Sequence, residues 1–170
     1  MCGRYSIKTP PEDLFRLFAV TDMLNLEPRY NMAPMQTAPV IRERDGKRHM
    51  DRLRWGLVPS WAPDESRDKG DEPVETFTLL TTDADPRIEH IHHRMPVMLS
   101  HPEEFTRWLE GDAEDRATLM RPYGEEDLVF TPVSNRVGNV RNDDPSLTEP
   151  VAEMELSEAQ PPAPRQGSLF

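Results

Sequence analysis

Ala38-Pro39-Val40-Ile41-Arg42-Glu43-Arg44-Asp45-Gly46-Lys47-Arg48-His49-Met50-Asp51-Arg52-Leu53-Arg54-Trp55 reads as two strands folded back at Asp45-Gly46. Asp-Gly supplies two neighbouring residues that tolerate positive φ, which a two-residue hairpin turn requires. The second arm alternates only loosely between apolar and polar, so the turn is better defined than the register. A lone hairpin is marginal in water, so other elements have to cover it.

N-terminal to the hairpin, Gly3 to Lys8 reads as a short strand. Thr9-Pro10-Pro11-Glu12 has the form of a capping box with proline at the first helical position. Leu14, Phe15, Leu17 and Phe18 then give a helix an apolar stripe to about Ala19. Residues 20–37, with Pro28 and Pro34, read as irregular. C-terminal to the hairpin, Thr76–Thr82 reads as a central strand, Pro86–His93 as a helical turn and Val97–Leu99 as a strand. Ser100-His101-Pro102-Glu103 reads as a second capping box, with a helix through Phe105, Trp108 and Leu109. A short helix over Ala113–Met120 and a last strand over Leu128–Val133 follow, then a Gly/Asn loop over Ser134–Asn142. From Asp143 onward acidic residues and proline dominate, and the expectation is a disordered tail. The fold class is α+β, a β-rich domain of antiparallel strands with a few short helices over 1–142 and a flexible tail over 143–170.

The 170 residues carry a net charge of -11, unevenly spread. Residues 1–60 hold ten Lys/Arg against seven Asp/Glu, while the remainder holds ten against twenty-four. The overall balance argues against a polyanion partner, but a local basic face in the first sixty residues is compatible with one. A single cysteine excludes an internal disulfide framework and a cysteine-cluster zinc site. His90, His92 and His93 invite a metal reading. Without a second cysteine or a helical His pair, no metal site and no cofactor is expected. No apolar run of spanning length and no signal peptide is present, so a soluble cytoplasmic protein without membrane partners is expected, as a monomer.

The one cysteine is Cys2. Removal of Met1 would leave it N-terminal, with an amine and a thiol on adjacent carbons. Both titrate near neutrality, at about 7.7–8.0 and about 8.5. Such an aminothiol captures aldehydes as a thiazolidine. An ordinary buried cysteine is the competing reading.

Five blocks then fall in a distinctive order: Met1-Cys2-Gly3-Arg4-Tyr5, Arg29-Tyr30-Asn31-Met32-Ala33-Pro34, Arg54-Trp55-Gly56-Leu57-Val58-Pro59-Ser60-Trp61, Ile91-His92-His93-Arg94-Met95-Pro96-Val97 and Pro132-Val133-Ser134. Together they resemble the SRAP family, the abasic-site processing proteins also called SOS response-associated peptidases. The resemblance implies that Cys2 captures the ring-opened aldehyde of an abasic site in single-stranded DNA, after autopeptidase release of Met1, with lyase activity as a further possibility of the family. It implies proton transfer by His92 and phosphate contacts by Arg4 and Arg94. Asn31 and Pro34 would shape the DNA groove. Trp61 fits either a core position or stacking on an unpaired base. Trp55 reads as core, and Arg52 and Arg54 fit either solvated strand positions or the groove.

The chain departs from the family between Pro63 and Pro73. The family's Asn-Ala-Arg-x-Glu-Thr and Gly-Phe-x-Glu-Trp blocks, with an active-site asparagine, a DNA-binding arginine and a catalytic glutamate, are absent. A non-catalytic remnant that holds single-stranded DNA or the sliding clamp is the alternative. The clamp reading rests on Gln166, Leu169 and Phe170, a Gln-x-x-Leu-Phe ending.

Overall fold

The computed structural model describes residues 3–22, 24–57 and 75–151. Strand β1 (Tyr5–Ile7) is followed by helix α1 (Pro11–Phe18), β2 (Arg29–Met32), the hairpin β3 (Thr37–Arg44) and β4 (Lys47–Trp55), and short strands β5 (Thr76–Phe77), β6 (Thr81–Asp83) and β7 (Arg94–Pro96). Helices α2 (Pro102–Glu110) and α3 (Ala113–Leu119) come next, then 3₁₀ turns at Asn135–Gly138 and Pro145–Thr148. The fold is α+β. The described strands form three sheets, β1-β2, β3-β4-β5 and β6-β7, antiparallel except for the parallel β4-β5 pair.

The hairpin forms around Asp45-Gly46, whose φ values of 53° and 71° are both positive, as a type I′ turn needs. Its register runs from Thr37 opposite Arg54 to Arg44 opposite Lys47. Ala38 faces Leu53 across the ladder, and both are buried with Trp55. Met50 is buried as well but breaks that parity. Arg48, two residues away and so on the face of Met50, reaches Thr106 (2.7 Å) and Glu110 (2.8 Å) of α2. The arm is covered on both faces, which explains its loose alternation.

Thr9 does not cap α1. Pro10 occupies the N-cap, no side chain caps it, and Pro11 opens the helix. The box expected at Ser100 and Glu103 does not form: His101 is the N-cap of α2 and its side chain makes no cap bond. Glu104 accepts from Ser100 N (2.8 Å) and Oγ (3.3 Å), and pairs with Arg121 (2.6 Å). Asp112 caps α3 by accepting from Glu114 N and Asp115 N at 2.9 Å. Gly111 precedes it because a Cβ there would lie 2.3 Å from Arg107 O.

Four expectations change. Residues 29–32, read as irregular, form β2, because β1 supplies a partner, with Tyr5 opposite Met32. The Thr76–Thr82 strand is split into β5 and β6, and the strand placed at Val97–Leu99 lies at Arg94–Pro96. Leu128–Val133 is no strand: among the described residues Val133 makes one isolated bridge, to Pro150, and Val129 is 79% exposed. Its apolar residues have no ladder beside them to join.

The fourth change moves the domain boundary. Residues 143–151, assigned to the tail, pack on the domain. Leu147 is 2% exposed. Asp143 accepts from Tyr30 N (2.6 Å) and Asn31 N (3.1 Å) and pairs with the Arg29 guanidinium. Val151 N donates to Pro132 O at 3.0 Å. The expected tail from 152 onward lies outside the described residues.

Replacing Leu147 by Ala is expected to cost about 2–5 kcal/mol of stability, read as a lower urea midpoint. An unchanged midpoint would remove 143–151 from the cooperative unit. Burial pushes the Asp143 carboxyl up, but the Tyr30 amide, the Arg29 guanidinium and the Asn31 amide outweigh it and hold it below the usual carboxylate range. Its contribution is therefore complete above the ordinary Asp value of about 3.9 and is lost as pH falls through the lower folded-state value. The stability gap between wild type and Asp143→Asn is expected to shrink as pH drops from about 5 to about 3. A gap that stays constant over that range would contradict this.

Candidate functional site

The N-terminal strand leads into a mostly apolar cavity of about 430 Å³ lined by Gly3, Pro34, Trp55, Gly56, Leu57, Thr78 and Leu79. Its floor is built by aromatic packing. Trp55, 4% exposed, has Tyr5 at 5.1 Å on one side and Phe77 at 6.3 Å on the other, ring centroid to centroid. Met32 and Ala38 complete this cluster.

One wall is the turn Ala33-Pro34-Met35-Gln36. Gln36 N donates to Ala33 O at 3.2 Å, Pro34 presets the first corner, and Met35 takes φ 74° at the second. Glycine normally fills that second corner, so the turn is strained at Met35. Met35 N to Trp55 O (2.7 Å) and Trp55 N to Gln36 O (2.8 Å) hold it in place. Gln36 Oε1 also accepts from Ala33 N at 3.0 Å. Met35 Sδ lies 3.3 Å from an Arg54 Nη. Arg54, read as either a solvated strand residue or a groove residue, thus touches the turn that walls the cavity, and among the described residues it forms no salt bridge.

The expected site residues fall into two groups. Arg4, Asn31 and Pro34 belong to the first. Tyr5 and Met32 turn one face of β1-β2 toward Trp55. Arg4 and Asn31 meet the 137–142 loop from the opposite side. Arg4 donates to Gly138 O (3.1 Å) and Gly3 O (3.0 Å). Asn31, fully buried, donates from Nδ2 to the carbonyls of Val137 (3.1 Å), Asn139 (3.1 Å) and Asn142 (2.9 Å). A flipped amide would point its oxygen at three carbonyl oxygens, so the orientation is fixed. Asn31 Oδ1 is buried and accepts no hydrogen bond among the described residues.

His92 and Arg94 form the second group, at the start of β7. A turn over 86–91 presents them. Asp85 anchors it by accepting from Arg87 N, Nε and Nη2, each at 2.8 Å. The Arg87 guanidinium, then its amide, holds the Asp85 carboxyl down to about 2. His92 is exposed and stacks on His93 at 4.7 Å. Its Nδ1 accepts the Arg94 backbone N–H at 2.9 Å and lies 3.0 Å from Arg94 O. Both contacts engage Nδ1 and neither engages Nε2. The Arg94 guanidinium is spent on Thr81 O, Thr81 Oγ1 (3.0 Å) and Asp83 (3.3 Å). The link between the two groups is the segment from Phe77 to Thr81, which passes Leu79 of the cavity.

Cys2, Trp61, Gln166, Leu169 and Phe170 lie outside the described residues, as does the 63–73 junction. Glu75 pairs with Arg42 on the hairpin through two contacts, at 2.6 and 3.0 Å, and Arg42 in turn with Asp51. It ties β5 to the hairpin and is not placed at the cavity. Among the described residues no cluster of three His, Cys, Asp or Glu is placed to hold a metal ion. No described helix is long and apolar enough to cross a membrane.

Comparison with known proteins agrees with this arrangement of blocks. The chain is 38% identical over 99 residues to the abasic site processing protein HMCES of Gallus gallus, a match covering 56% of this chain and 28% of that one. It is 23% identical over 223 residues to the abasic site processing protein YoqW of Bacillus subtilis, covering 88% of this chain and 99% of the relative. With YedK of Escherichia coli, also named an abasic site processing protein, the figures are 25% over 224 residues, 89% and 100%. An alignment of 223 positions that uses 88% of a 170-residue chain leaves many positions of the relative with no counterpart here. The model of the family described as SOS response associated peptidase (SRAP) matches residues 1–70 and 64–140, and the chain belongs to that family.

Proposed function

We propose that this chain processes abasic sites in single-stranded DNA by covalent capture at Cys2. The observation that carries the reading is the cavity that begins at Gly3, the residue after Cys2, in a chain of this family. Hydrolysis of the Met1–Cys2 peptide bond consumes one water and frees the Cys2 amine. That amine adds to the aldehyde carbon of the ring-opened deoxyribose, water leaves, and an imine forms. The Cys2 sulfur then adds to the imine carbon, and the thiol proton ends on nitrogen. The product is a five-membered thiazolidine joining protein to DNA. Undamaged DNA offers no aldehyde, so the chemistry itself selects the lesion.

His92 is the proton carrier in this reading, since its Nε2 is left for exchange while Nδ1 is anchored by the Arg94 amide. Arg54 beside the turn that walls the cavity and Arg4 beside the 137–142 loop supply positive charge for the phosphates, and Leu57, 75% exposed, offers apolar surface to the unstacked strand. We place the segment missing relative to the longer relatives near residues 63–73, where the two family matches meet. It would remove the glutamate that resemblance puts beside the amine. The aminothiol reaction needs no such group to proceed, but general acid–base catalysis is usually worth about 10²–10⁴-fold, so capture here is slow.

A denaturing gel of protein incubated with a single-stranded oligonucleotide carrying one abasic site is expected to show a shifted band. Cys2→Ser should abolish the band, and an undamaged oligonucleotide should give none. His92→Ala is expected to slow its appearance by about 10²–10⁴-fold. Absence of any Cys2-dependent band would overturn the reading.

The unmatched alignment positions favour one second reading, a non-catalytic remnant that holds single-stranded DNA. It predicts salt-sensitive binding that survives Cys2→Ser. Its variant, docking on the sliding clamp through Gln166, Leu169 and Phe170, predicts clamp binding that is lost when the last two residues are removed.

A further inference from the structure

Asp143 lies outside every block that marks the family, yet its carboxylate gathers donors from three consecutive residues of β2. One oxygen accepts from Tyr30 N (2.6 Å) and Asn31 N (3.1 Å), and the other meets the Arg29 guanidinium. With its backbone pinned in this way, Asn31 projects its amide into the 137–142 loop and gathers three of its carbonyls. The loop adds its own brace, since Asn142 Nδ2 donates to Arg136 O at 2.8 Å. Gly138 O, between the carbonyls that Asn31 holds, receives Arg4. The same guanidinium donates back to Gly3 O. The chain of contacts thus runs from Asp143 through Asn31 and the loop to Arg4, and ends on Gly3 at the cavity.

Asn31 Oδ1 shows how firmly this arrangement is imposed. It is buried, and among the described residues no donor reaches it, a costly state for an amide oxygen. The side chain stays in this orientation because the Nδ2 contacts to the loop outweigh that cost. We propose that Asp143 is a positioning residue for Arg4, acting through Asn31 and the 137–142 loop. It fixes where the first strand presents Gly3 and the Arg4 guanidinium to an incoming DNA strand. The role rests on the abasic-site reading given above.

Two measurements test it. In the first, capture rates at saturating abasic single-stranded DNA are compared for wild type, Asp143→Asn, Arg4→Ala and the double variant, at a temperature where circular dichroism shows all four folded. Asp143→Asn is expected to be at least about tenfold slower, and the double variant no slower than Arg4→Ala alone, the signature of two residues acting through one path. In the second, hydrogen exchange in the peptide covering residues 3–7 is expected to be at least about tenfold faster in Asp143→Asn, with the α2 peptide unchanged. Losses that multiply in the double variant, or unchanged exchange in residues 3–7, would overturn the proposal. If Asp143→Asn does not fold, Asn31→Ser takes its place, since it removes the three loop contacts and leaves the carboxylate's own bonds. If wild type captures no abasic DNA, the abasic-site reading falls, and the exchange measurement still decides whether Asp143 governs the first strand.

Discussion

Trp55 packs β1 against a sheet with which β1 shares no ladder. It ends β4, and its ring lies between Tyr5 of β1 and Phe77 of β5. The three described sheets are small, and short strands alone do not hold a domain together. Burial of a large aromatic surface does so here, because each ring contributes far more contact area than the two or three backbone bonds of its own strand. The cavity exists because of this packing. With the Trp55 ring turned to the core, its backbone is left to bond the Met35 turn on one side, and Gly56 N to bond Phe77 O on the other. A core residue thus sets the spacing of the walls around the first strand.

The elements legible in the sequence were those specified locally. Asp45-Gly46 carries its own turn geometry, and the helices carry their apolar stripes and proline starts. What escaped depends on partners distant in the chain. Nothing in Arg29-Tyr30-Asn31-Met32 announces a strand until Tyr5 pairs with Met32. Conversely, Leu128 to Val133 has strand composition, but composition cannot supply a neighbouring edge. Asp143 to Pro150 is acidic and proline-bearing, the pattern of a solvated tail. It packs because one carboxylate meets two backbone amides and a guanidinium, and one leucine finds a buried seat.

Candidate residues were legible by type more than by task. Asn31 was expected in the groove; its described contacts instead organise the 137–142 loop. Arg94 was expected at phosphate, and its guanidinium is engaged by Thr81 and Asp83. Arg54 was left open between a solvated strand position and the groove, and it touches the turn beside the cavity. In an acidic chain most described arginines are engaged by carboxylates or carbonyls, so local potential depends on the few that are not. Counting charges along the sequence cannot find them, because pairing is a property of the fold.

The bonds from Asp143 to Tyr30 and Asn31 span 113 and 112 residues of chain. Contacts that close so long a loop form late, since the entropy of closure is lost before the contact rewards it. On a ribosome the order is stricter still. The β1-β2 pair emerges first and remains without its carboxylate anchor until more than a hundred further residues have been made and released from the exit tunnel. The first strand is thus made long before the residue that anchors its partner strand. A chain truncated before Asp143 would keep all five of the quoted blocks and still lack the anchor on β2.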